Sequence, residues 1–317
     1  MDGIAFLLGP TLPAVALDSP ERCFEMLEAL DESRGLRCAS RFSIDRATMG
    51  GFCADRLGYA FLAGYRAALL AIDASLTRAS LCATEEGGAH PRAIETRLVR
   101  VEDDGASRTG AYRLDGRKTF ATLASVADTL LVVASVGRNA TRNDLRVVRV
   151  PARRAGIAMN VRPPLPFTPE IPHAEITFRD VQIEPGEVLE GDGYTHVLKP
   201  FRTMEDMHVT AAWLAYLVRL ARSAGARDVV ARAVASVAAL RSLSERDPSA
   251  ADTHVALAGV LAQAATLLDD WNPDGCDEMT RERWRRDRPL LDVARNVRNL
   301  RREAAWAQID SIRPPGA

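Results

Sequence analysis

Glu205 and His208 are the first residues in this chain whose types and spacing suggest chemistry. They form an E-x-x-H within FRTMEDMHV, a stretch with helical patterning, and three-residue spacing sets a carboxylate and an imidazole on one helix face. In a helical bundle that pair is half of a di-iron site, which needs a second E-x-x-H on another helix. The only other occurrence, Glu170 to His173, contains Pro172 and reads as a loop, so no metal centre is expected. Five cysteines (Cys23, Cys38, Cys53, Cys82 and Cys276) are scattered with no C-x-x-C pair, which points to reduced thiols rather than a zinc knuckle or a disulfide framework. There is no G-x-G-x-x-G, Walker A loop, H-E-x-x-H or G-x-S-x-G, and four common enzyme classes lose their simplest support.

The elements that must position any site change character twice along the chain. Ser19-Pro20-Glu21 is a helix start, and Leu57, Phe61, Leu62, Tyr65, Leu69 and Ile72 recur at helical spacing over Ala54–Ile72. From about Ser80 short runs rich in β-branched residues follow, among them SLCAT, KTFAT, TLLVVAS, LRVVRV and AEITFRDVQI, separated by turn residues in the manner of a small antiparallel barrel or sandwich. Asp115-Gly116 sits between two such runs and predicts a type I′ hairpin turn. After Gly193 helices return, over roughly 194–223, 226–245, 252–271 and 281–309, the last with a kink expected at Pro289. Short connections predict an antiparallel bundle. The expected organisation is an N-terminal helical segment over 1–77, a β domain over 78–190 and a C-terminal four-helix bundle over 191–317.

The chain has 317 residues, 47% hydrophobic and 26% charged, with a formal net charge of -1, an ordinary globular composition. Nothing in that balance supports a nucleic-acid partner or a membrane surface. No run reaches the ~18 apolar residues of a membrane span, and MDGIAFLLGP lacks a basic n-region. The cytoplasm is the expected compartment.

LCATEEGGAHP from Leu81, then RLDGRKTFATLASVADTLLVVAS, then HAEITFRDVQIEPGEVLEGDGY together resemble the middle domain of the flavin-dependent acyl-CoA dehydrogenases. In that family a strand ending in T-E-P-G-x-G-S precedes a hairpin with G-x-K-x-(aromatic)-I-T, then A-D before an apolar strand, then F-x-x-V-x-V-P before a bundle. The resemblance spans about residues 55–225 and implies an α+β, acyl-CoA dehydrogenase-like fold with FAD between β domain and bundle. It implies that Leu81, Cys82 and Thr84 face the flavin ring, with Phe120 and Thr122 beside its reactive nitrogen. A buried polar heterocycle needs such donors, acceptors and an aromatic wall; taken singly, these are also ordinary strand residues. The implied reaction is α,β-dehydrogenation of an acyl-CoA or other acyl thioester, with hydride leaving to flavin. Glu205 matches the family's helix-borne catalytic base, the alternative being a solvated acid beside Asp206.

The departures are specific. Glu86 replaces the proline of T-E-P, and His90-Pro91 replaces the serine that meets pantetheine, making His90 the candidate substrate contact. Asp206 replaces the arginine that follows the glutamate. The bundle's Q-x-x-G-G-x-G and the C-terminal Y-E-G are missing. Residues 281–302 hold nine arginines against three acids, read as a solvated helix surface ahead of a phosphate-binding face. His173 reads as satisfying a loop carbonyl. The resemblance implies a homodimer or homotetramer. A non-catalytic relative that binds acyl thioester or protein and has lost flavin is the alternative function.

Overall fold

The computed structural model describes residues 2–10, 16–35, 43–101, 112–139 and 141–312; Cys38 and the terminal RPPGA lie outside them. The chain divides into two compact units, one of Met1–Thr77, Leu165–Glu170 and Phe201–Ala317, the other of Arg78–Pro164 and Ile171–Pro200.

The helical unit begins with α1 (Gly3–Leu8), α2 (Pro20–Arg34), α3 (Ser43–Cys53) and α4 (Leu57–Ile72). Ser19 caps α2 by accepting from the Arg22 amide at 3.2 Å, with Pro20 in the first turn, which satisfies one of the orphan donors every helix start carries. The C-terminal helices are α5 (Lys199–Ser223), α6 (Arg227–Leu243), α7 (Ala251–Asp270), α8 (Glu278–Asp287) and α9 (Arg295–Ile312). Glycines let backbones touch: a Cβ on Gly51 of α3 would lie 2.2 Å from the Ala212 carbonyl of α5, and one on Gly64 of α4 would lie 2.5 Å from the Val209 Cα. Close approach of this kind is available only to a residue without a side chain. Pro289 ends α8 outright, and a 3-10 segment (Arg288–Asp292) precedes α9, so the single kinked helix expected over 281–309 is two helices. Proline removes a donor and clashes with the preceding turn, and here the break is complete. An 18-residue window of α7 has a mean hydropathy of 1.2, so by length and composition alone this helix could cross a membrane, contrary to expectation; it buries Leu257, Leu267 and Leu268.

The β unit holds β1 (Ala79–Cys82), β2 (Arg97–Arg100), β3 (Tyr112–Thr122), β4 (Thr129–Arg138), β5 (Asn143–Pro151), β6 (Ile157–Val161) and β7 (His173–Ile183). They form one sheet in the order β1-β4-β2-β3-β7-β6, with β5 on β4. Pairings are antiparallel except that β1 and β2 each run parallel to β4. Its core joins Cys82, Leu98, Leu114, Leu130, Val132, Val148, Ile176 and Phe178. Asp115-Gly116 is not a hairpin turn. It lies inside β3 opposite a bulge in β7, where two steps from Leu114 to Gly116 match three from Val181 to Phe178. Gly116 has φ +148°, and a Cβ there would meet Thr96 at 2.6 Å. A strand opposite a bulge and a tight turn both draw on glycine's backbone freedom, and the dipeptide alone does not separate them.

Candidate functional site

A bulge in β3 aims the candidate residues. Lys118 pairs with Ile176 and Ala121 with Ala174, so three steps on β3 match two on β7. The extra residue turns Lys118 and Ala121 into the core and leaves Phe120 and Thr122 half-buried. Thr84, just past the end of β1, bridges Phe120, and its carbonyl accepts from the Thr119 amide at 2.9 Å. Directly paired residues, and residues two apart, share a face. Thr84, Phe120 and Thr122 therefore present one surface. No hydrogen bond engages either threonine hydroxyl among the described residues.

What holds β1 against β3 is a buried ion pair that sequence reading did not single out. The Lys118 ammonium, fully buried, donates to Glu85 Oε1 and to the Val133 carbonyl, each at 2.6 Å. Glu85 also accepts from the amides of Glu95 at 2.7 Å and Thr96 at 3.1 Å. Burial works against the Glu85 carboxylate, but the ammonium and the backbone donors outweigh it and hold the carboxyl below its ordinary range. The available signal was compositional: of 41 basic residues only Lys118 and Lys199 are lysine. An otherwise arginine-only chain keeps a compact ammonium where a planar guanidinium does not fit. Ser80 adds a second tie, its hydroxyl donating to the Thr122 carbonyl at 2.7 Å.

Phe120 stacks on His173, with ring centroids 4.2 Å apart and planes at 26°, and the Arg162 guanidinium lies 5.6 Å from the Phe120 centroid. His173 is buried, and its Nδ1 has no partner among the described residues. Its Nδ1 does not satisfy a loop carbonyl as expected; the ring's observed contact is its face against Phe120. Burial, with Arg162 nearby, pushes its pKa down to about 4, so the imidazole is neutral. Leu81 is half-buried. Cys82 points into the core with its thiol 3.7 Å from Ser80 Oγ, and burial raises that thiol to about 11; it can serve a ligand only through its main chain. His90 is exposed, and its Nδ1 caps a short 3-10 turn by accepting from the Arg92 amide at 3.2 Å.

In the helical unit Glu205 is half-buried on α5. Burial, then the neighbouring Asp206 charge, raises its carboxyl to about 7, against opposing pulls from Arg298, Arg202 and Arg301. Asp206 is not a second free acid. It is buried and paired with Arg298 at 2.7 Å and Arg301 at 2.9 Å. His208 Nδ1 donates to the Met204 carbonyl at 2.6 Å, four residues back, so one face of the E-x-x-H is spent inside its own helix. Of the nine arginines of 281–302, Arg285, Arg288, Arg295 and Arg302 are exposed as expected, while the others are half-buried. Arg283 pairs with Asp55, Arg286 with Asp287 and Glu170, and Arg288 with Asp269; they knit the helices together.

Residues 80–181 match the model of the family described as acyl-CoA dehydrogenase, middle domain. Among solved structures, the chain is similar to the dibenzothiophene monooxygenase TdsC from Paenibacillus sp. A11-2 with FMN and indole, at 15% identity over 86% of each chain and a TM-score of 0.65. It is similar to an FAD-dependent dehydrogenase at 14% identity over 93% of this chain and 94% of that one, with a TM-score of 0.66. It is likewise similar to butyryl-CoA dehydrogenase from Megasphaera elsdenii, at 15% identity over 92% and 91% with a TM-score of 0.64. No curated protein sequence matches it significantly. The mixed helix-and-sheet architecture is thus that of a fold shared by dehydrogenases and monooxygenases that use flavin. Residues 80–181 match that family's middle domain, and the chain as a whole shares the fold of these solved structures.

Whether the residues present suit a flavin is decided by their donor set. The shared face offers two uncommitted hydroxyls, an aromatic side chain and an orphaned ring nitrogen beside it. That set fits the polar edge and flat face of an isoalloxazine. The glycine-rich motif that would receive the phosphates is missing.

Proposed function

We propose that this chain is a flavin-dependent oxidoreductase that removes hydrogens across a CH–CH bond of an acyl thioester. The supporting observation is the face formed by Thr84, Phe120 and Thr122, with its unpartnered hydroxyls and the orphaned Nδ1 of His173, inside the segment that matches the middle domain. On this reading Thr84, Thr122 and the main chain at Leu81 and Cys82 hold the pyrimidine edge, and Phe120 walls the ring. Flavin, when bound, supplies the two-electron acceptor. Glu205 takes the α-proton onto its carboxylate; a proton affinity raised to about 7 suits a base that must both accept and release a proton near neutrality. Asp206, paired with Arg298 and Arg301, sits beside that base. The arrangement favours FAD or FMN as cofactor and an acyl-CoA or other carrier-bound thioester as substrate. Val297 and Leu300 are exposed on α9, with exposed Val293 just before it, an apolar face suited to a homodimer or homotetramer.

The test is anaerobic titration of the flavin-loaded protein with acyl-CoA. Bleaching of the visible band that is lost in Glu205→Gln supports the reading. Bound flavin that acyl-CoA does not bleach points to oxygen chemistry on the same scaffold. A folded protein that binds acyl-CoA but no flavin supports a non-catalytic relative, for which the missing glycine motif speaks.

A further inference from the structure

We propose that the helical unit holds a site for a small apolar carboxylate in the cleft between α5, α7 and α9. The proposal stands apart from any flavin chemistry. The cleft has a volume of about 140 Å³ and is walled by Trp213, Leu257, Leu261, Leu268 and Leu291, close to the ~150 Å³ of a cavity that accepts benzene.

Among the cleft's lining residues and their ion-pair partners one guanidinium is left over, Glu205, which feels Arg298 and Arg301, not being in the lining. Among the arginines that line the cleft, Arg295 pairs with Asp292 and Arg302 with Glu303. Arg298 and Arg301 share the single carboxylate of Asp206, Arg298 through Nε at 2.7 Å and Arg301 through Nη1 at 2.9 Å. Each guanidinium commits one nitrogen to that acid, and its planar fork has further N–H donors in the geometry a carboxylate takes up. Asp269, also in the lining, is matched by Arg288. Trp213 is itself buried, and its indole N–H has no partner among the described residues. The apolar volume selects a compact ring or short branched chain, and the surplus guanidinium selects an anion over a neutral group. The exposed Val293, Val297 and Leu300 are not in the cleft lining, so self-association through them leaves the cleft open.

The experiment is calorimetric titration of the whole protein with cyclohexanecarboxylate, and in parallel with cyclohexanemethanol, its neutral analogue. Saturable binding of the acid, about tenfold or more tighter than the alcohol, is expected from a charge-assisted bond. Arg301→Gln, which leaves Asp206 paired with Arg298, should erase the preference for the acid. Ala265→Phe, at an exposed lining position on α7, should block both compounds by filling the cleft. Absence of saturable binding to the wild type, equal affinity for acid and alcohol, or undiminished binding in Ala265→Phe overturns the proposal.

Discussion

Replacing Lys118 with methionine isolates the contact that holds the candidate face together. Methionine matches the length of the lysine stem and fills the same core space, so the change removes charge and hydrogen bonds rather than volume. Glu85 is left 7% exposed, still accepting from the amides of Glu95 and Thr96, while the Val133 carbonyl loses its ammonium donor. Breaking a buried pair costs ~3–5 kcal/mol, and with two amide bonds surviving the expected loss is about 3 kcal/mol. For a unit of this size that is roughly 8–15 °C in melting temperature. The pH dependence carries a sign. In the wild type Glu85 titrates below its ordinary range, so its contribution is present above the unfolded carboxyl value of ~4.3 and is lost as pH falls through the folded value. Without the ammonium, burial dominates and the folded value rises above ~4.3. The penalty of the variant should then shrink as pH is lowered toward 5. Urea denaturation followed by circular dichroism at two pH values measures both effects, and adding Glu85→Gln should restore part of the loss. A cost below about 1 kcal/mol with no pH dependence would refute the reasoning, since a surface pair behaves that way.

Other perturbations test separate links. Asp206→Asn leaves Arg298 and Arg301 facing each other at 19% exposure and should cost about 2–3 kcal/mol in the same assay. Gly51→Ala forces a Cβ onto the Ala212 carbonyl and should cost ~1–3 kcal/mol or more. Gly259→Ala, with nothing within 4 Å on α7, should gain ~0.5–1 kcal/mol; thermal melts distinguish the two glycines. If Glu205 is the base, the rate of flavin reduction by acyl-CoA should fall about tenfold per unit as pH drops below about 7, and a profile flat from pH 5 to about 8 would exclude it.

Much of the architecture was legible because it is written in periodicity. Ser19-Pro20-Glu21 opens α2, and the apolar spacing of Leu57–Ile72 is α4. The ordered motifs of the middle segment carried the family resemblance where no single motif was specific. Two misreadings have one cause, that local chemistry does not reveal tertiary use. Asp115-Gly116 has the residues of a hairpin turn and runs through β3 opposite a bulge in β7, with Thr96 packed where a side chain would be. The arginines of 281–302 have the composition of an open cationic surface, but Arg283, Arg286, Arg298 and Arg301 are half-buried, and their acids Asp55, Glu170 and Asp206 come from distant parts of the chain. The orphaned nitrogen of His173 was beyond reach for the same reason: only the packed strands show that Phe120 occupies its flank.

The most direct measurement is a titration of the purified protein with FMN and with FAD, read by the visible absorption and fluorescence of the ring. Saturable uptake of at least one, weakened about tenfold or more by Phe120→Ala and reduced by Thr122→Val, is what the shared face of Thr84, Phe120 and Thr122 predicts. Folded wild-type protein that takes up neither, or variants that bind as tightly as the wild type, would contradict it.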